Sequence, residues 1–277
     1  GRDAPLATED RMNRRTLGLC WLLALAILVP YLLLIILSLG SGWSYAQLLP
    51  DRLDFAPWRR LARERDGLAR AFVTSVMLSV TVGVLATATG RFAGRALRRM
   101  STWFGRWLLY LPFAASPVVL GVTLYDLLVR LQWAGTYTGV VVVQTLFATA
   151  MATVFFSTTW TPRGAQFEHL VRTLGGGRWD VWRHAIWPHA RGLVLVCFVQ
   201  AALYSWMDYG LVAIVGGGQV QTVTMRLFAY VREANVNQAA LASLVLVVPA
   251  VAGCLLSGIA RVASTNRSAV QSLFRYV

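Results

Sequence analysis

Glu168-His169-Leu170-Val171-Arg172-Thr173-Leu174-Gly175-Gly176-Gly177-Arg178-Trp179-Asp180-Val181-Trp182-Arg183-His184-Ala185-Ile186-Trp187-Pro188 is a polar island between two long apolar runs. Phe167, Leu170, Val171 and Leu174 fall at i, i+3, i+4 and i+7, the stripe of a short amphipathic helix. Gly175, Gly176 and Gly177 can adopt φ > 0 without steric cost, so they end that helix. Trp179, Trp182 and Ile186 line one face of a second short helix, which Pro188 stops. The expected shape is a helix–glycine turn–helix hairpin able to plug into a groove on a partner.

Outward from this island the chain is built for a bilayer. Hydrophobic residues make up 57% of 277 and charged residues 14%, against about 25% charged in a soluble domain. All 26 basic residues are Arg. Without Lys the chain has no Walker A loop of its own and no Schiff-base amine. A net charge of +14 could indicate nucleic acid, but the Arg cluster at the ends of apolar runs, the pattern of cytoplasmic flanks. Cys20, Cys197 and Cys254 lie within apolar runs and read as small buried hydrophobes.

Six spans are expected, at about 17–39, 71–90, 107–125, 139–157, 192–215 and 238–260, in a single all-α transmembrane domain over 1–277. Thr16 to Pro50 carries no charge, and the run is too long for a signal peptide, so an uncleaved first helix kinked at Pro30 is expected. Arg91, Arg95, Arg98, Arg99 and Arg106 follow the second span without an acid among them and mark a cytoplasmic loop. Pro112 and Pro117 break the third span, which places it inside a bundle rather than against lipid. With both termini inside, the cytoplasmic segments hold 17 Arg and the outer ones 9. The loop 41–70 is Arg-rich for an outer segment. Residues 216–237 read as an outer loop.

The central island resembles the cytoplasmic coupling motif of permease subunits of binding-protein-dependent ABC importers, in which Glu-Ala-Ala, three residues, Gly, nine residues, Ile, any residue and Leu-Pro follow one another. Gly175 and Pro188 stand at that separation, and Arg172-Thr173-Leu174-Gly175 followed by Trp179 is a run common in the family. His169-Leu170-Val171 replaces the triplet, with Glu168 one place early, and Ala185 and Trp187 replace Ile and Leu. Ser205-Trp206-Met207-Asp208-Tyr209-Gly210, with Gly216-Gly217 and Thr222-Val223-Thr224, is similar to permeases of the iron, thiamine, spermidine and molybdate type.

The resemblance implies a non-catalytic subunit of the bacterial inner membrane. Glu168, His169, Arg172, Gly175, Gly176, Trp179 and Pro188 would dock a separate ATP-binding subunit dimer that carries ATP and Mg. A second permease subunit, identical or similar, would complete the path, and a periplasmic solute-binding protein would deliver the solute. No cofactor, metal or nucleic acid is expected on this chain. His169, His184 and His189 are read as surface or interfacial residues, since no acid or Cys completes a ligand set with them.

Asp208 is the one acid well inside an apolar stretch, and ionisable residues there are functional by default. It is a candidate for the translocation path, with Gln200, Tyr204 and Ser205 on the same helix. The bland alternatives are a helix end where Asp208 pairs with Arg226 or Arg130, and simple packing for the other three. The rival reading is a self-contained secondary carrier or channel. Carriers commonly show an internal repeat, and none is visible here. A membrane enzyme ranks last, for want of paired carboxylates or an activated nucleophile.

Overall fold

The computed structural model describes residues 6–41, 52–53, 55, 58–59, 67–99, 117–159, 173, 175, 177, 179 and 187–273. Along the chain run α1 (Leu6–Leu39), β1 (Gly40–Ser41), β2 (Arg52–Leu53), α2 (Leu68–Arg99), α3 (Pro117–Arg130), α4 (Tyr137–Thr159), α5 (Trp187–Met207), α6 (Gly210–Gly216), α7 (Val223–Arg232) and α8 (Val236–Leu273). Among the described residues, five stretches are long and apolar enough to cross a membrane: Thr16–Leu39, Leu68–Leu97, Tyr137–Ser157, Ala190–Met207 and Val236–Leu255. Of the expected third span, 107–125, only α3 from Pro117 onward lies among the described residues. Pro117 is its first residue, where a missing N–H costs nothing.

The chain divides into two compact units, Gly1–Asp66 with Leu227–Val245, and Gly67–Arg226 with Leu246–Val277. In the first, α1 is exposed almost all round, with Leu17, Trp21, Leu22, Leu25 and Ile27 all outward. An all-round apolar helix suits hydrocarbon, not water. Pro30 sits inside α1 and the helix continues through it. Beyond it β1 and β2 pair antiparallel, Gly40 opposite Leu53, and the Asn237 amide donates to the Gly40 carbonyl.

The second unit is a bundle in which α2 packs against α4 and α5, and α6 against α3 and α4. Leu78, Val82, Ala86, Leu128, Val140, Val143, Phe147, Leu211 and Val215 form its buried core. Between membrane helices there is no hydrophobic drive to associate, so packing depends on close backbone approach at small residues. Gly90 supplies it where α2 crosses α4: a Cβ there would come within 2.9 Å of the Ala152 carbonyl carbon and 3.0 Å of the Thr153 nitrogen. Thr89 and Thr149 hydroxyls meet across the same seam at 2.8 Å. Thr136 caps α4, accepting the Gly139 N–H at 3.1 Å.

Three expectations about the elements change. The stretch 192–215 is not one helix: α5 ends at Met207 and α6 starts at Gly210, with Asp208 and Tyr209 between them. A short acidic side chain bonds backbone groups near it and so competes with the helical ladder. The outer loop expected at 216–237 contains α7, whose first turn Thr222 caps by accepting the Met225 N–H at 3.4 Å. Gly217 and Gly218, at φ 53 and 79, close α6 before it. Pro188, expected to stop a helix over 179–187, is the second residue of α5, in a first turn that tolerates proline, and 180–186 lie outside the described residues.

Candidate functional site

The break between α5 and α6 gathers buried polar groups from five elements. Asp208 Oδ2 accepts a hydrogen bond from Gln144 Nε2 of α4 at 2.8 Å. Gln144 Oε1 in turn accepts from the Ser205 hydroxyl at 2.7 Å. Asp208 Oδ1 lies 3.4 Å from the Leu211 nitrogen and accepts its N–H, tying the carboxylate to the start of α6. The Asp208 carbonyl accepts from the Thr224 hydroxyl at 3.2 Å. Thr224 Oγ1 also sits 2.8 Å from Thr222 Oγ1, and the Val223 N–H donates to Ser75 Oγ of α2 at 2.9 Å.

Chemically this is a carboxylate held, among the described residues, by N–H donors and not by a cation. Neither Arg named as a possible partner pairs with it: Arg130 bonds Asp126 at 2.9 Å, one turn away on α3. The Arg226 guanidinium lies against Gly67, where a Cβ would come within 2.9 Å of Nη2. In low dielectric a charge is costly unless its hydrogen-bonding capacity is met. Here the fully buried Gln144 amide and a backbone N–H from the first turn of α6 meet it.

The four path candidates therefore separate. Ser205 and Asp208 come together through Gln144. Tyr204 is half-buried, and its hydroxyl is buried with no hydrogen-bond partner among the described residues. Gln200 is exposed on α5, an amide on the surface of an apolar span. Trp206 turns to the other side, donating its indole N–H to the Leu246 carbonyl of α8 at 2.8 Å. Gln144 escaped the sequence reading although a signal existed: it is the only amide or charged side chain between Gly139 and Ser157, whose other polar groups are hydroxyls.

Of the coupling candidates, Glu168, His169, Arg172 and Gly176 lie outside the described residues. Gly175 is exposed at φ 80, the left-handed conformation expected of a residue that ends a helix, and has no atom within 4 Å of a would-be Cβ. Thr173 and Trp179 on either side are helical and exposed. Pro188 is in α5 as described above.

Residues 79–269 match the family model described as "Binding-protein-dependent transport system inner membrane component". The chain is 28% identical over 241 residues to "Sulfate permease 2, chloroplastic" of Chlamydomonas reinhardtii, covering 81% of this chain and 62% of that protein. It is 28% identical over 170 residues to "Sulfate transport system permease protein CysW" of Synechocystis sp., covering 56% and 59% respectively. The chain thus spans 62% and 59% of the lengths of these two curated relatives. Among solved structures, a chain of a bacterial ABC transporter involved in the import of the acidic polysaccharide alginate superposes with a TM-score of 0.58 at 16% identity, over 88% of this chain and 94% of that one. A chain of an amino acid ABC transporter with histidines gives 0.53 at 12%, over 78% and 99%. At such identities the likeness is one of fold.

Proposed function

This chain belongs to the binding-protein-dependent transport system inner membrane component family, the permeases of ABC importers, and we propose that it is the permease subunit of an ATP-driven solute importer. It forms half of a translocation path, the other half coming from an identical or similar subunit. A periplasmic binding protein delivers solute from outside. An ATP-binding subunit dimer, carrying ATP and Mg, docks on the hairpin 168–188 from the cytoplasm of a bacterial cell. Six spans with both ends inside fit the Arg distribution, the third span running through 107–125 into α3.

The observation that carries this reading is the glycine-to-proline frame between α4 and α5. Gly175 is in the left-handed turn that a hairpin needs, Trp179 is exposed beside it, and Pro188 opens the helix that returns to the membrane. A push on such a hairpin reaches α5 directly, since only eleven residues separate Gly175 from the first residue of that helix. On α5, the exposed Gln200 offers the solute its amide, with Tyr204, Ser205 and Asp208 behind it. The relatives' names make sulfate, or an oxyanion of similar charge, the first solute to test.

The test is reconstitution in proteoliposomes with the ATP-binding subunit and binding protein, followed by uptake of labelled sulfate. Expected is ATP-dependent uptake that disappears in Gly175→Asp and on deletion of 168–187. Uptake by the chain alone on an ion gradient, without ATP, would show a secondary carrier instead.

A further inference from the structure

We propose that Asp208 is a positioning residue: with Gln144 and Ser205 it pins the joint between α5 and α6 to α4, and it does not meet the solute. The consequence for transport rests on the permease reading, and the pin itself on geometry. The side-chain oxygens and nitrogen of Asp208, Gln144 and Ser205 each have a partner inside the chain. Asp208 Oδ2 takes a Gln144 N–H and Oδ1 the Leu211 N–H. The Asp208 carbonyl, left without a helical partner by the break, takes the Thr224 hydroxyl. Gln144 is fully buried and uses both ends of its amide, one on Asp208 and one on Ser205. The single hydroxyl proton of Ser205 is committed to Gln144, and Ser205 is itself buried.

This arrangement fixes three helices at one point. Ser205 is on α5, Gln144 on α4, and Leu211 on α6, whose buried Leu211, Val212 and Val215 pack into the same core. Neither a turn of α5 about its axis nor a swing of α6 can occur without separating Gln144 from Asp208 or Ser205. Through Thr224 the start of α7 is tied to the same joint, and through Ser75 so is α2. An importer that rocks its helices would need the outer segment after Gly216 to follow α5, and this joint is the link that makes it follow.

The chain of bonds has a direction, and that yields a discriminating substitution. Asp208→Asn keeps the shape and removes the charge. If the Gln144 amide turns over, the introduced amide donates to the Gln144 oxygen, the Gln144 nitrogen donates to Ser205, and the Ser205 hydroxyl turns to a carbonyl one turn back in α5, so every partner remains satisfied. Gln144→Leu, in contrast, takes the side-chain donor from the buried carboxylate and leaves it only the backbone N–H groups at the start of α6, the costly half of a broken pair. Adding Asp208→Asn to Gln144→Leu removes that charge and relieves most of the damage.

The experiment measures ATPase activity of the assembled complex, stimulated by its binding protein carrying sulfate, together with amide hydrogen exchange of 210–216 in this chain. Asp208→Asn should stay within about threefold of wild type, and Gln144→Leu should fall at least about tenfold, with the double variant returning to within about threefold of Asp208→Asn. Exchange at Leu211 and Val212 should quicken about tenfold or more in Gln144→Leu and slow again in the double variant. If Asp208→Asn alone abolishes stimulation, the charge itself is needed and the pin is the wrong role. A double variant no better than Gln144→Leu would refute the pin equally. A wild-type complex without stimulated activity would count against the permease reading or its solute, and the exchange rates would then decide the pin by themselves.

Discussion

Gly90→Ala adds one methyl group at the point where α2 and α4 come closest, and its effect can be worked from the contacts. The new Cβ would stand 2.9 Å from the Ala152 carbonyl carbon, 3.0 Å from the Thr153 nitrogen, and closer still to the Ala152 Cβ. Carbon contacts are comfortable from about 3.5 Å, so the helices must part by roughly half an ångström or more. Two of the three obstructing atoms are backbone and cannot turn aside. The cost belongs at the upper end of overpacking, about 3 kcal/mol. Ala is a better helix former than Gly by about 1 kcal/mol, which leaves about 2 kcal/mol of net destabilisation. Gly18→Ala is the matched control, because nothing lies within 4 Å of its Cβ. It should be neutral or stabilising by up to about 1 kcal/mol. The two variants are compared by detergent unfolding of the purified chain in mixed micelles, followed by tryptophan fluorescence. Ala152→Gly added to Gly90→Ala should restore part of the loss, since it removes the nearest obstacle. If Gly90→Ala unfolds no earlier than Gly18→Ala, the close crossing does not exist as described.

Other outcomes follow from the same geometry. Trp206→Phe keeps the edge-to-face contact with Phe72, at a centroid distance of 5.7 Å, but loses the bond to the Leu246 carbonyl; it should cost about 1 kcal/mol and Trp206→Ala about 4 kcal/mol, read by the same unfolding assay. Gly175→Ala strains a left-handed residue by about 1–2 kcal/mol in an exposed turn, so unfolding should shift little while binding-protein-stimulated ATPase activity of the complex falls; unchanged activity would contradict the coupling role.

The apolar spans were legible because a bilayer imposes a length and a composition on each, and Leu17–Leu39 in sequence became Thr16–Leu39 in the fold. Their ends were not. The second span was expected to stop near Gly90, yet α2 runs to Arg99, because the Arg residues that leave the membrane remain good helix formers. The break at Asp208 was hidden inside a run of sufficient length, although Asp followed by Tyr and Gly is a recognisable helix restart. The helix α7 was hidden in turn by the glycines before it, despite Val223, Leu227, Tyr230 and Val231 falling at helical spacing after a threonine cap. For the site, Asp208 and Ser205 were readable as unusual residues on one helix. Gln144 was readable only as an oddity, because its role depends on which helix lies beside it, and that pairing spans 61 and 64 residues of sequence.

That separation also bears on how the chain is made. Synthesis runs from the N-terminus, so Gln144 exists before Asp208, 64 residues later, is added. An unpartnered Asp at the middle of a bilayer costs about 2.5–3.5 kcal/mol on insertion scales. The helix end carrying the awkward residue is thus the later one to arrive, and its partner is already in place to receive it. In the opposite order the growing chain would hold a bare carboxylate in hydrocarbon until its amide appeared.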